Sequence, residues 1–510
     1  MFFAAYLCLG WLVVDDYGIT YDEGVQRRHG HVTVQYVADR FGIEHPPLDT
    51  EGRSFSEYGM LYQIVATLAE LQLGATDDPY RFYRIRHVLN YLLFAGALAF
   101  FYRTLRMRWP AERWLPLLGT AVLLLSPRTF AHAFFNPKDH VLLVFYVIAT
   151  YTLLRFLDRR TYAALAWHVL ASALALNTRF PALAVVGATV GVLLWEQLVH
   201  RPGNLRRWGQ LALYLPGTLL LMLPFFPYLW VDTGSRLTGA IASMSTYKWD
   251  STVLLFGDVL EAQDLPAYYI PAWIVITVPL VYLLFIFTGL GRVVATSAGN
   301  LRRWRWWADE AQQVDFVQLG LGVGPILTII LLGSTVYNGW RHLHFVYPAL
   351  VYLGMVGYHR VQRRYPRATT VVILGGMAFT AFDMVRMHPV QQTYFNILVQ
   401  GENTLKRFEM DYWGAGYREA LLQLAAQVPE GEVRRVKCQN WPCIDNIAAL
   451  PPGAREKLVH EVEWGKADYV ATNFHWPQEK IDVLNRDFMF ARPVVELAPC
   501  GFPVVGIYKP

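Results

Sequence analysis

Apolar runs near residues 86–102, 114–130, 138–156, 161–177, 181–199, 209–226, 269–290, 315–335, 344–358 and 369–386 follow one another along this chain, with Phe2 to Val14 ahead of them. A helix of about 20 apolar residues crosses the hydrocarbon core of a bilayer, and spanning helices satisfy their own backbone polar groups. The pattern predicts a polytopic α-helical membrane protein with about eleven spans. Charge agrees: only 17% of the 510 residues are Asp, Glu, Lys or Arg, against the usual share of about 25%. Phe2 to Val14 would reach only ~20 Å as a helix, short of the ~30 Å core. With no basic flank before it and no small-residue cleavage site after it, it predicts a start placed late or missing residues rather than a cleaved signal peptide.

Alternate loops are rich in arginine, which supplies the topology. Arg103, Arg106, Arg108 and Arg113 share one side with Arg155, Arg159 and Arg160, then Arg201, Arg206 and Arg207, then Arg292, Arg302, Arg303 and Arg305, then Arg360, Arg363, Arg364 and Arg367. By the positive-inside rule this side is cytoplasmic. The N-terminus is then inside, while the 15–85 loop, the 227–268 loop and the C-terminal region are outside. Because the basic residues sit in short clusters between apolar runs, the net charge of +5 is not a nucleic-acid signature. Arginine outnumbers lysine, which points to a bacterial source and hence a bacterial cytoplasmic (inner) membrane.

The chain divides into a membrane part, 1–387, and a polar region, 388–510. In the first outer loop, Gly24 to Phe41 and Tyr58 to Leu73 have helical spacing and predict amphipathic helices on the membrane surface. In the polar region, β-rich runs at Val433 to Cys438, Asp468 to Asn473 and Pro503 to Tyr508 alternate with a helical pattern at Tyr417 to Gln427, predicting a small α/β extracytoplasmic domain. Of the four cysteines, Cys8 lies in the first apolar run. Cys438, Cys443 and Cys500 permit one disulfide, with Cys438–Cys443 and Cys438–Cys500 as the alternatives.

The unusual polar groups gather on the outer side. Asp15, Asp16, Asp22 and Glu23 follow the first apolar run. Ser126 to His140, SPRTFAHAFFNPKDH, reads as a turn between spans and holds Arg128, His132, Lys138 and Asp139 between Pro127 and Pro137. Arg179 sits in the tight turn NTRFP. The 227–268 loop and its C-terminal edge carry Trp230, Tyr247, Trp249 and Tyr269. YNGWRHLH places Arg341, His342 and His344 where a span begins. Charge at a membrane edge is costly, so it tends to be paired or functional. Bland readings stand beside these: an Arg128–Asp139 ion pair, a snorkelling Arg341, aromatic-belt tryptophans and hydrogen-bonded structural histidines.

A carboxylate within reach of a hydroxyl can act as its general base. Arginines at the membrane edge can hold a lipid phosphate and stabilise the charge that grows as it leaves. Aromatic faces suit a sugar or a prenyl chain. Together these groups point to transfer of a sugar from a polyprenyl-phosphate carrier to an acceptor hydroxyl (of a protein, a lipid or a glycan). A transporter or flippase of a lipid-linked sugar is the first alternative, but it would want polar groups at mid-membrane and usually an internal repeat. A non-catalytic membrane relative is the second. No Walker-type or dinucleotide-binding fingerprint is present.

The ordered motifs YDEG, SPRTFAHAFFNPKDHVLL, NTRFP, YNGWRHLHFVYP, HPVQQTYFN and FEMDYWGAGYREAL resemble the GT-C superfamily of membrane glycosyltransferases. The likeness is to the family 39-like branch of protein O-mannosyltransferases and aminoarabinose transferases. The resemblance implies a GT-C-like membrane fold and an inverting mechanism. By it, Asp22 is the base, Glu23 orients the acceptor or helps hold a divalent ion, Asp139 is the second-loop acid, and Arg179 and Arg341 contact the donor phosphate; Arg128 and Lys138 are further candidate phosphate contacts. Trp230, Tyr247, Trp249 and Tyr269 line the substrate loop. Family members differ in metal use, and a divalent ion would here fall to Asp22, Glu23, His342 and His344.

Overall fold

A computed structural model describes residues 1–52, 56–200, 204–245, 249–401, 403–475 and 492–509. Among these, seven helices are long and apolar enough to cross a membrane, and a bent pair makes an eighth. They are Pro79–Arg108, Asp139–Arg159, Phe180–Val199, Leu205–Phe225, Leu280–Leu301, Glu310–Leu332 and Pro366–Arg386, with Trp114–Leu124 and Pro127–Phe135 bent by 67° at their junction. The protein is thus a multi-pass α-helical membrane protein, but eleven spans are not all found. Phe2–Val13 and Tyr162–Leu176 are shorter apolar helices, and Tyr347–Gln362 has 16 residues. The expected 269–290 span is two helices, Tyr269–Thr277 and Leu280–Leu301, because Pro279 between them lacks the N–H a continuous helix needs.

Burial separates inner from outer helices. In the Asp139–Arg159 span window 78% is buried, against 22% for Leu205–Phe225, so the first is a central post and the second presents leucines outward. Leu280–Leu301 and Tyr347–Gln362 pack backbone to backbone through glycines. A Cβ on Gly289 would fall 1.8 Å from the Leu353 carbonyl oxygen, and one on Gly357 would fall 2.1 Å from that of Phe285. Small residues allow such approach between membrane helices. Gly289→Ala is expected to push this pair apart and cost about 1–3 kcal/mol, as other overpacking does. A fall in thermal midpoint checks it, whereas Gly187→Ala, which meets nothing within 4 Å, should leave the midpoint in place.

Tyr21–Phe41 and Leu61–Gln72 form the two helices expected in the first loop. The 227–268 stretch contributes the helix Thr233–Ser245 and the hairpin Thr252–Leu255/Asp258–Glu261. In the polar region, the helix Tyr417–Gln427 forms as expected. A five-stranded sheet follows in the spatial order Leu458–His460, Arg434–Cys438, Tyr469–Thr472, Val505–Tyr508, Pro493–Leu497. The first three strands are parallel and the last two pair antiparallel. Cys438 is joined to Cys443; Cys8 and Cys500 are free thiols.

This region is not an appendage. One hydrophobic core runs from Tyr6 through the spans to Tyr508, and polar bonds latch the first loop to it. Asn446 bonds both the amide and the carbonyl of Ile19, at 2.9 and 2.8 Å. The Tyr21 amide donates to the Trp413 carbonyl at 3.0 Å, and Arg418 Nε donates to the Asp15 carbonyl at 2.8 Å. The start of the Asp22 helix is therefore held by residues some 400 positions away in the sequence.

Candidate active site

Thr20 caps the helix that carries the acidic pair. Glu23, in the first turn, accepts from the Thr20 amide at 2.8 Å and hydroxyl at 3.1 Å, closing a capping box. Its other oxygen accepts from His87 Nε2 at 2.8 Å. With 2% exposure and both oxygens committed, Glu23 holds the helix start against the Pro79–Arg108 helix. Glu23→Ala is expected to cost about 0.5–2 kcal/mol, the usual range for a lost cap, read as a lower thermal midpoint.

Asp22 is treated differently. Its Oδ2 is buried and accepts no hydrogen bond from the described residues, and it lies 3.7 Å from Arg341 Nη1. Consecutive helical residues point about 100° apart, so one acid turns into the cap and the other out toward Arg341. The Arg341 guanidinium lies between two rings, 4.9 Å from the centroid of Tyr337 and 4.8 Å from that of Trp413. Burial pulls its pKa down, but the Asp22 charge together with Tyr337 and Tyr412 more than offsets this and the net shift is upward. Its Nε is buried without a partner. Trp249 in turn stacks on Tyr337, at 4.1 Å between ring centroids. Gly339 donates its amide to the Tyr269 hydroxyl at 3.2 Å, so Tyr269 braces the turn that presents Arg341.

Asp139 opens the central helix. Its amide donates to Asn136 Oδ1 at 2.8 Å, and its carboxylate pairs with Arg179 Nη1. The ion pair weighed for Asp139 is therefore made with Arg179, not Arg128. Lys138 Nζ is 3.3 Å from the Tyr58 hydroxyl. Arg128 donates through Nε to the Tyr394 carbonyl at 2.9 Å and lies against Phe395 and Trp273. The stretch read as a turn at 126–140 is instead largely a buried helix, Pro127–Phe135, which Pro127 starts rather than ends because the first helical N–H has no intrahelical partner to lose.

Three expectations do not assemble here. Trp230 donates to the Leu223 carbonyl and packs against Tyr36 and Phe41, about 20 Å along the helix from Asp22 at 1.5 Å per residue. Tyr247 lies outside the described residues. The four residues named for a divalent ion do not converge, and no group of three or more His, Cys, Asp or Glu side chains poised to hold one is found among the described residues. Glu23 is spent in its cap. His342 sits edge-on to Tyr337 at 4.7 Å, and burial, with Arg341 nearby, lowers its pKa well below the usual range. His344 packs with His132 and His140, at 4.8 and 5.8 Å. These residues do not fit a metal.

Sequence reasoning gave no role to His87, Tyr337 or Trp413. Trp413 stood inside a quoted motif, but only the folded chain shows it facing Arg341. Asp15 and Asp16 are tethers: Asp15 pairs with Arg84 at 2.7 Å, and Asp16 accepts from His388 Nε2 at 2.8 Å.

Residues 28–237 match a family model described as dolichyl-phosphate-mannose-protein mannosyltransferase. This match supports the GT-C membrane glycosyltransferase superfamily that the motifs resemble. It covers less than half of the chain and takes in Arg128, Lys138, Asp139 and Arg179, but not Asp22, Glu23 or Arg341. A search of curated proteins returns no match. Among solved structures, the chain is similar to the oligosaccharyltransferase AglB from Archaeoglobus fulgidus. With an inhibitory peptide and a dolichol-phosphate bound, that enzyme aligns at TM-score 0.45 and 12% identity, covering 90% of this chain and 66% of that one. Tethered to an acceptor peptide, it aligns at TM-score 0.45 and 11% identity, covering 92% and 69%. Its apo form gives 0.43 and 11%, covering 90% and 66%. The chain thus spans about two thirds of the length of these structures, at scores below those that establish a common fold.

Proposed function

We propose that the chain is an inverting glycosyltransferase of the bacterial cytoplasmic membrane, moving a sugar from a polyprenyl-phosphate donor to an acceptor hydroxyl at the outer face. The observation that carries this reading is the Asp22 carboxylate, whose buried Oδ2 accepts no hydrogen bond among the described residues while a guanidinium stands 3.7 Å away. A general base needs a lone pair that its own fold has not consumed, and of the adjacent acids Asp22 and Glu23, Glu23 has both oxygens hydrogen-bonded while Asp22 keeps one oxygen free of hydrogen bonds among the described residues. Asp22 takes the proton of the acceptor hydroxyl as that oxygen attacks the anomeric carbon. The bond from that carbon to the phosphate oxygen breaks, and the configuration inverts. The departing phosphate gains negative charge, which Arg341 stabilises.

Glu23, His87 and Thr20 fix the helix turn that aims the base. Trp249 and Tyr337 offer a stacked aromatic face beside Arg341, suited to the apolar face of a sugar or to prenyl carbons. Arg179 and Lys138 add positive charge on the adjoining loops. The test is formation of a glycosidic bond by the purified protein from a defined polyprenyl-phosphate sugar, with the anomer of the product read by NMR. Retained configuration would refute the single displacement. Movement of the lipid-linked sugar across vesicles without a new bond would refute the transferase.

A further inference from the structure

At the other end of the bundle is a charged cavity that this chemistry does not use. The Pro79–Arg108 helix carries His87 beside Glu23 at one end, and its last residue, Arg108, is about 30 Å further along at 1.5 Å per residue. The Tyr347–Gln362 helix likewise starts just after Arg341 and ends next to Arg360 and Arg363. Between these ends and the Leu280–Leu301 and Glu310–Leu332 helices lies a cavity of about 470 Å3, walled by Arg108, Arg292, Arg360 and Arg363 and by Asp309 and Asp315.

Both carboxylates are already engaged. Asp315 takes two bonds from Arg108, at 2.7 and 3.2 Å, and one from the Tyr352 hydroxyl at 2.6 Å. Asp309 caps its helix, accepting from the Gln312 amide at 2.8 Å and side chain at 2.9 Å. Arg292, Arg360 and Arg363 have no ion-pair partner among the described residues. Trp109 also lines the cavity. It is 4% exposed, and its indole nitrogen is turned away from solvent. Three cations without ion-pair partners around one space form a site suited to an anion with several acceptor oxygens.

We infer that this cavity binds a phosphate-bearing group at the arginine-rich end of the bundle, independently of the transferase reading. The phosphodiester of an anionic phospholipid and a free phosphate share that chemistry. The full chain is to be placed in nanodiscs of phosphatidylcholine with increasing phosphatidylglycerol, and retained lipid counted by native mass spectrometry with and without inorganic pyrophosphate. Arg292→Gln/Arg360→Gln is expected to weaken phosphatidylglycerol retention at least about tenfold, the scale of two lost charge-assisted contacts. Arg302→Gln/Arg367→Gln, which removes equal charge from the same end but not from the cavity wall, should change it less than about twofold.

Arg363→Gln removes a single wall cation and should still weaken retention several-fold, which keeps the test decisive if the double arginine variant does not fold. Displacement of the lipid by pyrophosphate would support the site and assign it to a soluble phosphate; retention of the lipid through pyrophosphate would assign it to the headgroup. Equal losses in the two arginine pairs, or no preference for phosphatidylglycerol over phosphatidylcholine together with no pyrophosphate binding, would overturn the site.

Discussion

Asp22→Asn is expected to reduce sugar transfer by about 10²–10⁴-fold, the range associated with loss of a general base, while leaving the protein folded. Asparagine keeps the shape of the side chain and fits the same turn, since the cap is made by Thr20 and Glu23 rather than by Asp22. It cannot take the acceptor proton. The effect should fall on kcat, with donor binding changed only a few-fold, because the phosphate contact is assigned to Arg341. The check is a kinetic comparison of wild type, Asp22→Asn and Glu23→Gln under saturating donor, together with donor binding measured directly. Full activity in Asp22→Asn would sink the assignment of the base. A larger loss in Glu23→Gln than in Asp22→Asn, at unchanged thermal midpoint, would move the role to Glu23.

Glu70→Ala should give the largest loss of stability, about 3–5 kcal/mol, as expected when one partner of a buried charge network is removed. Glu70 is fully buried. It accepts from Arg27 Nε at 2.9 Å, from Arg86 Nε and from His31 Nε2 at 3.3 Å. His31 Nδ1 accepts the Asp49 amide at 3.0 Å, so the proton of the neutral ring sits on Nε2 and points at Glu70. Burial pushes the Glu70 carboxyl up, but Arg86 above all, with His31 and Arg27, more than reverses this and leaves it at about 2.

The sign follows from linkage. A carboxyl whose folded pKa lies below its unfolded value of about 4.5 binds its proton more weakly when folded. Its contribution is therefore present in full above pH ~4.5 and lost as the pH falls toward ~2. The shift corresponds to on the order of 3 kcal/mol. Thermal midpoints of wild type should drop through that acid window, whereas those of Glu70→Ala should start lower and drop less. Parallel curves for the two proteins would refute the role of Glu70.

The network also shows why part of the fold is hidden from the sequence. Glu70, Arg27 and Arg86 lie on three different helices and read as ordinary charges on amphipathic or span-edge segments. Nothing local marks them as a buried cluster, because burial comes from the packing of those helices on one another. The turn assigned to 126–140 failed for a related reason: its prolines were read as helix ends, yet proline is equally at home at the first position of a helix.

By itself the sequence determined that the chain crosses a membrane many times, that helical segments lie at about 24–41, 58–73 and 417–427, and that acids and cations collect in particular loops. Those properties depend on local composition and on the 3.6-residue period, which neighbours in the chain already carry. The opening acidic motif was visible too, but Asp22 and Glu23 are adjacent residues of like chemistry that no local rule separates. Only the tertiary structure decided between them. It placed His87 within 2.8 Å of Glu23 and Arg341 within 3.7 Å of Asp22, leaving one carboxylate consumed by the fold and the other with an oxygen to spare. Partners 64 and 319 positions away are brought together by helix packing, and helix packing is not written in the local sequence around either acid.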